Sequence, residues 1–423
     1  MYADDPVAAH RSRVAAWYAR IPYAGAMSER RGGRPVWAEI DLDALAHNVA
    51  LLIAHARPAR LWAVVKANAY GHGAVMCART AVEAGAAGLA VVCVDEAEEL
   101  RAGGIDAPIL LVGQADMSEC ERIVGLGLTP TVCSMQMMLA LSRLASGRGV
   151  TQRVHVELES GLNRNGLPLD ALVELAEGAR RLPGIEIEGL YTHLAAAEEG
   201  DTGFTQRQRD ALEEAHRRLA WIPSKHIAAS ASLLLSPSMR FDAVRAGLAL
   251  YGYHPVPGAD PNVGLRRVIT LKTRVTRLLD VAAGETVGYG RTWEARRPSK
   301  IALLMCGYAD GFRRSLSNRA QVLVRGQRAP IAGRIAMDMC MADVTDVPNV
   351  AVDDEAVIMG TQGGETVDAD ELAELAGTIS WEILAGVSAR VPRFYIRGGS
   401  AIARTTLNER LPVPLAADVA ASR

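Results

Sequence analysis

A lone lysine follows an early apolar run of the chain. Lys66 is the only charged residue between Leu61 and Gly71, and the segment YGHG comes shortly after it. Desolvating an ammonium group is costly, so this side chain either extends into solvent or is used as an amine. Burial lowers the pKa of a lysine and makes the amine nucleophilic, which suits a Schiff base with a carbonyl compound. Taken alone, Lys66 fits a surface role as well as a catalytic one.

Three further polar residues close later apolar runs, namely His193, Ser230 and Arg245. Each has an ordinary structural explanation. His193 could be a hydrogen-bonded core histidine, Ser230 a helix cap and Arg245 one half of a surface ion pair. A catalytic role becomes the better explanation only if the fold brings them to one edge together with Lys66.

Short apolar runs alternate with amphipathic helical stretches after Trp37, which is typical of βα units in a parallel sheet. Eight strands are predicted, near Leu61–Lys66, Gly88–Cys93, Pro108–Val112, Thr129–Cys133, Arg153–Leu158, Ile187–His193, Lys225–Ala229 and Phe241–Ala246. Eight such units over about 200 residues predict a (β/α)8 TIM barrel over residues 37–265, in which chemistry takes place at the carboxyl ends of the strands. All four polar residues would lie at that end.

A second, mostly β domain is predicted over residues 266–411. Apolar β-like runs separated by Gly, Pro and Asp turns replace the helical period there, and one helix, Asp368–Leu375, interrupts them. Residues 1–36 form an N-terminal arm with a possible amphipathic helix at His10–Arg20, and residues 412–423 form a tail. Residues 37–40 could contribute to the β domain.

Composition restricts the class of protein. The chain has 423 residues, 49% hydrophobic and 22% charged, with a formal net charge of -2. This balance gives no basic surface for nucleic acid or anionic lipid, and no run is apolar enough to span a bilayer. The six cysteines show no CxxC spacing, and the first residues do not resemble a secretory signal. We therefore expect a cytoplasmic protein with reduced thiols and no metal.

Several motifs taken together resemble one family. They are AVVKANAYGHG around Lys66, RNG at Arg164, YTHLA around His193, RAGLALYG around Arg245, VGYGRT around Tyr289, GYADGFRR around Tyr308 and GRIAMDM around Met337. In this order and spacing they resemble alanine racemase over nearly the whole chain after Trp37.

The resemblance implies pyridoxal 5'-phosphate attached to Lys66. It assigns the cofactor phosphate to Tyr70, Ser230, Gly247 and Leu248, and hydroxyl and backbone N–H donors in late barrel loops suit a phosphate. It places Arg245 against the pyridine nitrogen, oriented by His193. Because arginine cannot accept a proton, the ring nitrogen is expected to stay unprotonated, which suppresses side reactions.

Racemisation needs a base on each face of the substrate Cα. The resemblance assigns Lys66 to one face and Tyr289 to the other, with Tyr289 entering from a partner subunit. A tyrosine needs help to act as a base, and the resemblance assigns that help to His226 and Arg314. It further assigns the substrate carboxylate to Arg164 and the backbone N–H of Met337, with Tyr308 narrowing the access and Asp338 supporting Met337. An obligate homodimer would follow.

Three positions depart from the family pattern. Glu157 stands where many members have a carbamylated lysine, and we expect its carboxylate to supply the same negative charge beside Arg164. Ala389, in SARVPR, stands where a tyrosine usually contacts the phosphate and crowds the substrate methyl group, so a larger side chain could fit. Asn163 stands where glycine is common.

The main expectation is therefore an alanine racemase acting on a small amino acid. A serine or broad-spectrum racemase of the same family is the first alternative. A pyridoxal-phosphate decarboxylase, which would place an acidic residue opposite the ring nitrogen, and a non-catalytic cofactor-binding protein, which would lack the second domain, are more distant alternatives.

Overall fold

The computed structural model describes residues 34–198, 202–256, 263–409 and 411–414. The helix predicted at His10–Arg20 and most of the predicted tail lie outside the described residues. The chain divides into two compact units. The barrel unit comprises Ala44–Tyr70 and Ala74–Arg266, and the β unit comprises Gly71–Gly73, Arg267 onward and the segment that ends at Asp43.

Strand β1, Val36–Asp41, belongs to the β unit. The next eight strands form the barrel unit: β2 Arg60–Val64, β3 Gly88–Val91, β4 Ile109–Leu111, β5 Thr129–Pro130, β6 Gln152–Glu157, β7 Ile185–Tyr191, β8 Lys225–His226 and β9 Ala243–Ala246. All of their pairings are parallel, in the order β5-β4-β3-β2-β9-β8-β7-β6. A parallel bridge between Thr131 and His155 joins β5 to β6. The barrel is thereby closed, as predicted.

One helix precedes the barrel strands, the others each follow one of them, and their apolar residues are buried. They are Leu42–Ala56, Ala74–Glu83, Val94–Ala102, Cys120–Gly125, Met135–Arg148, Leu169–Ala179, Thr202–Arg218 and Ser230–Leu235. Strand β3 is buried on both faces, as expected of a parallel strand covered by helices. The helix Met135–Arg148 shows the local cause of such boundaries, because Ser134 caps its first turn and Gly149 ends it in a left-handed conformation.

Among its described residues the β unit continues with twelve strands, β10 Ile269–Val281, β11 Thr286–Val287, β12 Trp293–Glu294, β13 Ser299–Leu304, β14 Gln321–Val324, β15 Gln327–Pro330, β16 Cys340–Asp343, β17 Glu355–Gln362, β18 Glu365–Val367, β19 Arg393–Arg397, β20 Ser400–Thr405 and β21 Val413–Pro414. Strand β10 is thirteen residues long and pairs with β1, β13 and β17. Strand β1 lies between β10 and β19. Strand β1, which precedes the barrel in the sequence, is therefore part of the large sheet of the β unit.

Two sequence-based expectations need correction. The first barrel strand was expected to run to Lys66 but ends at Val64, because a left-handed turn begins after Lys66. The β unit contains two helices among its described residues, Ala369–Ala376 and Ser380–Ala385, where only the first was predicted. Six residues are too few for a helical period to be recognised in a sequence.

Candidate active site

Lys66 lies on a strained turn at the carboxyl end of β2. The four residues Ala67–Tyr70 have φ between 52° and 55°, although none is glycine. Left-handed backbone costs roughly 1–2 kcal/mol per residue of this kind. The carboxylate of Glu96 accepts hydrogen bonds from the N–H groups of Ala67, at 2.6 Å, and Val92, at 2.8 Å. Glu96 thereby holds the backbone that presents Lys66.

The surroundings of Lys66 favour its neutral amine. The side chain is half-buried and its amine has no hydrogen bond or ion pair with the residues that the structure describes. Burial lowers the pKa of Lys66, the charge of Arg164 lowers it further, and Glu96 opposes both. A neutral amine can attack a carbonyl group and can accept a proton.

Arg245 is buried inside the barrel, with 4% of its surface exposed. One guanidinium nitrogen donates to Nδ1 of His226. The other donates to the carbonyl oxygens of Thr192, at 3.1 Å, and Ile227, at 3.3 Å, and to Nδ1 of His193, at 3.2 Å. The predicted hydrogen bond between His193 and Arg245 is therefore present. Four acceptors hold this cation in one orientation.

A small group of donors lies at the ends of β8 and β9. Ser230 Oγ accepts hydrogen bonds from the N–H groups of Gly247, at 2.9 Å, and Ala249, at 3.3 Å, so its own O–H remains a donor. The Tyr70 hydroxyl lies so close that a Cβ added to Gly247 would be 2.6 Å from it. The Leu248 N–H makes no hydrogen bond with the described part of the chain. This cradle suits a phosphate, with Gly247 allowing the close approach.

Glu157 ends β6 with 3% of its surface exposed, and its carboxylate accepts a hydrogen bond from the Tyr191 hydroxyl at 3.1 Å. Burial raises the pKa of Glu157, while Arg245, Tyr191 and Arg164 oppose this rise. The guanidinium of Arg164 is exposed and makes no hydrogen bond or ion pair with the described residues. No hydrogen bond or ion pair joins Glu157 to Arg164 among those residues, and the Glu157 carboxylate bonds to Tyr191 instead.

Asn163, before Arg164, has a φ of 54°. Asparagine adopts this left-handed conformation more readily than most residues, which explains how it replaces a glycine here.

In the β unit, Tyr289 lies in the turn that joins the paired strands β11 and β12. Its side chain is 72% exposed. The phenol is thus presented to solvent at the tip of a hairpin.

The carboxylate of Asp310 is fully buried and supports the segment with Met337 and Asp338 through two arginines. Asp310 accepts hydrogen bonds from Arg34, at 2.7 Å and 2.9 Å, from Arg390 Nε, at 2.8 Å, and from the Gly307 N–H, at 2.9 Å. The same arginines contact Asp338. Arg34 donates to its carbonyl oxygen at 2.6 Å and Arg390 to its carboxylate at 2.5 Å.

Met337 is 53% exposed, and its N–H makes no hydrogen bond within the described ranges of the chain. Its carbonyl oxygen accepts from the Ala309 N–H at 3.0 Å, which ties it to the segment of Tyr308. Tyr308 and Arg314 together line a cavity of about 400 Å³. Ala389, next to Arg390, is exposed.

The predicted site residues therefore fall into two groups. The barrel unit holds Lys66, Tyr70, Glu157, Arg164, His193, His226, Ser230, Arg245, Gly247 and Leu248, and the β unit holds Tyr289, Tyr308, Arg314, Met337, Asp338 and Ala389.

Comparison with known proteins decides the family. The N-terminal domain of alanine racemases matches residues 40–255 and the C-terminal domain matches residues 268–395. The chain belongs to the alanine racemase family.

Individual relatives agree with this assignment. Alanine racemase of Desulfosudis oleivorans is 44% identical over 386 residues, covering 87% of this chain and 98% of the relative. The crystal structure of alanine racemase from Bacillus anthracis with bound L-Ala-P superposes with a TM-score of 0.83 at 34% identity, over 89% of this chain and 99% of that one. The alanine racemase from D-cycloserine-producing Streptomyces lavendulae has a TM-score of 0.82 at 38% identity, over 87% and 98%.

Alanine racemases are pyridoxal-phosphate-dependent isomerases, and the barrel unit fits that cofactor. Lys66 offers an amine with a lowered pKa for its aldehyde. The cradle of Tyr70, Ser230 and Gly247 fits its phosphate, and the buried Arg245 fits its ring nitrogen.

The expected help from His226 to Tyr289 needs correction. His226 is 1% exposed, and both of its ring nitrogens are engaged, one by Arg245 and the other by His155 at 2.9 Å. It therefore has no nitrogen left for an incoming phenol and acts on Arg245 instead.

Four residues that support the predicted site residues were not predicted from the sequence, namely Glu96, His155, Tyr191 and Asp310. Tyr191 stacks on His226 with ring centroids 4.8 Å apart. Tyr191 and Asp310 lie within the motifs YTHLA and GYADGFRR, so their position in these motifs was an available signal. Glu96 and His155 lie outside the quoted motifs, so the sequence carried no signal for them.

The described residues contain no group of three or more His, Cys, Asp or Glu side chains that could hold a metal ion, and no helix long and apolar enough to cross a bilayer. The six cysteines, all within the described ranges, are free thiols.

Proposed function

We propose that this protein interconverts L- and D-alanine with two bases, Lys66 and Tyr289, on opposite faces of the substrate Cα. The observation that supports this most is the environment of Lys66, whose pKa is lowered by burial and by Arg164 while its amine is left without a described partner. Pyridoxal phosphate, when bound, withdraws electrons from the Cα of the amino acid and acidifies its proton. Lys66 can then take or return that proton on its own face.

Arg245 would limit how strongly the cofactor withdraws electrons. It has only donors, and its neighbours His193 and His226 are acceptors toward it. It cannot supply a proton to the ring nitrogen as a carboxylic acid would. A weaker electron sink suits an enzyme that only removes and replaces one proton.

The second base requires a second subunit. Tyr289 is exposed on the β unit, and the N–H of Met337 has no described partner. In a homodimer each β unit would bring Tyr289, Met337 and Tyr308 to the Lys66 of the other subunit. Arg164 and the Met337 N–H would receive the substrate carboxylate, and the exposed Arg314 would assist the Tyr289 phenolate. The free thiols support a cytoplasmic location.

Alanine is the proposed substrate because the curated relatives are alanine racemases and one solved relative holds L-Ala-P. Ala389 supports the alternative of a serine or broader racemase, since a small exposed residue replaces the crowding tyrosine. A decarboxylase or a non-catalytic protein is disfavoured by Arg245 and by the presence of both domains.

Loss of optical rotation from L-amino acids tests the proposal. With the holoenzyme we expect L-alanine to lose its rotation without release of gas. L-serine and longer amino acids, assayed alongside, measure the substrate range. Gas release, or no change of L-alanine, would contradict the proposed reaction.

A further inference from the structure

A line of two hydrogen bonds and one ion-pair contact runs from Arg245 through the inside of the barrel. Arg245 donates to Nδ1 of His226, whose Nε2 lies 2.9 Å from Nδ1 of His155. Nε2 of His155 lies 3.4 Å from a carboxylate oxygen of Glu188. The first three side chains are buried and the last is partly exposed. The line thus connects β9, β8, β6 and β7.

Only one arrangement of protons satisfies this line. Arginine has donors and no acceptor, so Nδ1 of His226 must present its lone pair to Arg245. The proton of a neutral His226 is then on Nε2 and is donated to Nδ1 of His155. The proton of His155 is in turn on Nε2 and faces Glu188, which accepts. Each group fixes the tautomer of the next.

Charges around the line favour these neutral imidazoles. Burial lowers the pKa of His226 and of His155, and the charge of Arg245 lowers both further, although Glu188 opposes this at His155. Burial would raise the pKa of Glu188, but the hydrogen bond from His155 and the charges of Arg153 and Arg60 outweigh it and leave that pKa lowered. The line therefore has a cation at one end and an anion at the other.

Packing leaves the two rings little freedom. A Cβ added to Gly189 would lie 2.5 Å from the His155 ring, so this ring rests directly on the glycine. Tyr191 stacks on His226 at 4.8 Å between centroids. At the far end, His155 and Glu188 line a cavity of about 360 Å³ together with Arg60, the first residue of β2. That cavity is at the opposite end of the strands from Lys66.

We propose that His155 is a positioning residue: with Glu188 as its acceptor, it fixes the tautomer of His226 and so holds Arg245 as a donor toward the cofactor ring. The proposal rests on the proposed function only for the role of Arg245. The tautomers themselves are a property of the chain and can be measured without turnover.

Two amide variants of His155 separate positioning from packing. An asparagine places its oxygen near the position of Nδ1, so His155→Asn keeps the acceptor for His226. A glutamine reaches the position of Nε2, so His155→Gln loses that acceptor. We expect kcat to fall about 10- to 100-fold in His155→Gln with KM nearly unchanged, and to stay within about threefold of the wild type in His155→Asn.

Nitrogen NMR of histidine-labelled full-length protein, with and without pyridoxal phosphate, provides the independent readout. We expect His226 of the wild type and of His155→Asn to have an unprotonated Nδ1 and a protonated Nε2, and expect His155→Gln to lose this state. Glu188→Gln, which keeps an acceptor oxygen, should behave like the wild type, whereas Glu188→Leu should shift the His155 signals.

The outcomes are distinguishable. A proton on Nδ1 of His226 in the wild type would overturn the proposal, as would equal kcat in His155→Gln and His155→Asn when both variants are folded. If the wild type shows the expected tautomers but does not racemise alanine, the proposed function fails and the positioning line stands.

Discussion

At the residue scale, Glu157 is a buried carboxylate that accepts a hydrogen bond from Tyr191, and we propose that it supplies negative charge near Arg164. Glu157→Gln keeps an oxygen for Tyr191 but removes the negative charge near Arg164. We expect kcat/KM for alanine to fall about tenfold in both directions, because Arg164 loses its counter-charge. Steady-state kinetics with each enantiomer check this, and unchanged turnover and affinity would show that the charge has no such role.

The buried carboxyl group of Glu157 should also make the stability of the protein depend on pH. Burial raises the pKa of Glu157, against the opposing effect of Arg245. The folded protein therefore binds this proton more tightly than the unfolded chain, so the ionised side chain destabilises the wild type as the pH rises through the folded pKa. Glu157→Gln cannot ionise, and its Tm relative to the wild type should increase as the pH rises from about 4.5, the ordinary pKa of a glutamate, through the raised pKa of the folded protein. A difference that shrinks over this range would contradict the shift.

The small side chain of Ala389 bears on which amino acids the site accepts. Ala389→Tyr should narrow the preference toward alanine by crowding the space beside the substrate methyl group, and a regained phosphate hydrogen bond would add about 1 kcal/mol to cofactor binding. Ala389→Phe is the matched control, since it adds the ring without the hydroxyl. Relative rates for alanine and serine and the cofactor affinity separate the two effects. Equal rate ratios in the wild type and both variants would exclude a role in selectivity.

Residue types and motifs allowed most site residues to be chosen from the sequence, but not their local geometry. Lys66 could be chosen because it is a lone charge in an apolar run, whereas the left-handed turn after it contains no glycine to signal it. The hydrogen bond from the Tyr191 hydroxyl to Glu157 joins two strands that become neighbours only in the folded barrel. Such pairings are a property of the fold and not of any local pattern.

At the scale of elements, the β unit positions Met337 and Asp338 through one buried carboxylate. Asp310→Asn removes the charge that Arg34 and Arg390 share. We expect a loss of roughly 1.5–3 kcal/mol of unfolding free energy, because the two partly exposed arginines lose a charged hydrogen-bond acceptor. Denaturant unfolding measures this.

Asp338→Asn is the control, since its carboxylate contacts Arg390 near the surface with 44% of the side chain exposed. It should cost less than about 1 kcal/mol. Equal losses of unfolding free energy in the two variants would show that the burial of Asp310 does not determine the size of the loss.

The period of the apolar residues allowed the eight barrel strands and most helices to be predicted, because parallel strands alternate with long amphipathic helices. Strand ends were predicted less well. Strand β8 covers only Lys225–His226 where the apolar run continues to Ala229, since Ser230 starts a helix and hydrogen bonding to β7 ends early. Apolar residues that follow a strand and those within it look alike in a sequence.

At the scale of the whole molecule, the proposed division of bases between subunits predicts complementation. Lys66→Ala and Tyr289→Phe should each be nearly inactive alone. Mixed dimers should regain one intact site, so co-expression at equal levels should give about one quarter of wild-type activity. The same two substitutions combined in one chain serve as the control and should stay inactive. Failure of the mixture to regain activity would place both bases in one subunit.

Exchange of the Cα proton in deuterated water tests the two-base account most directly. In the wild type, deuterium should enter both enantiomers of alanine as they interconvert. Tyr289→Phe retains the Lys66 amine and should still exchange the proton of one enantiomer, while racemisation falls more than about 100-fold. Racemisation at the wild-type rate in this variant, or equal loss of exchange from both enantiomers, would contradict the assignment of Lys66 and Tyr289 to opposite faces.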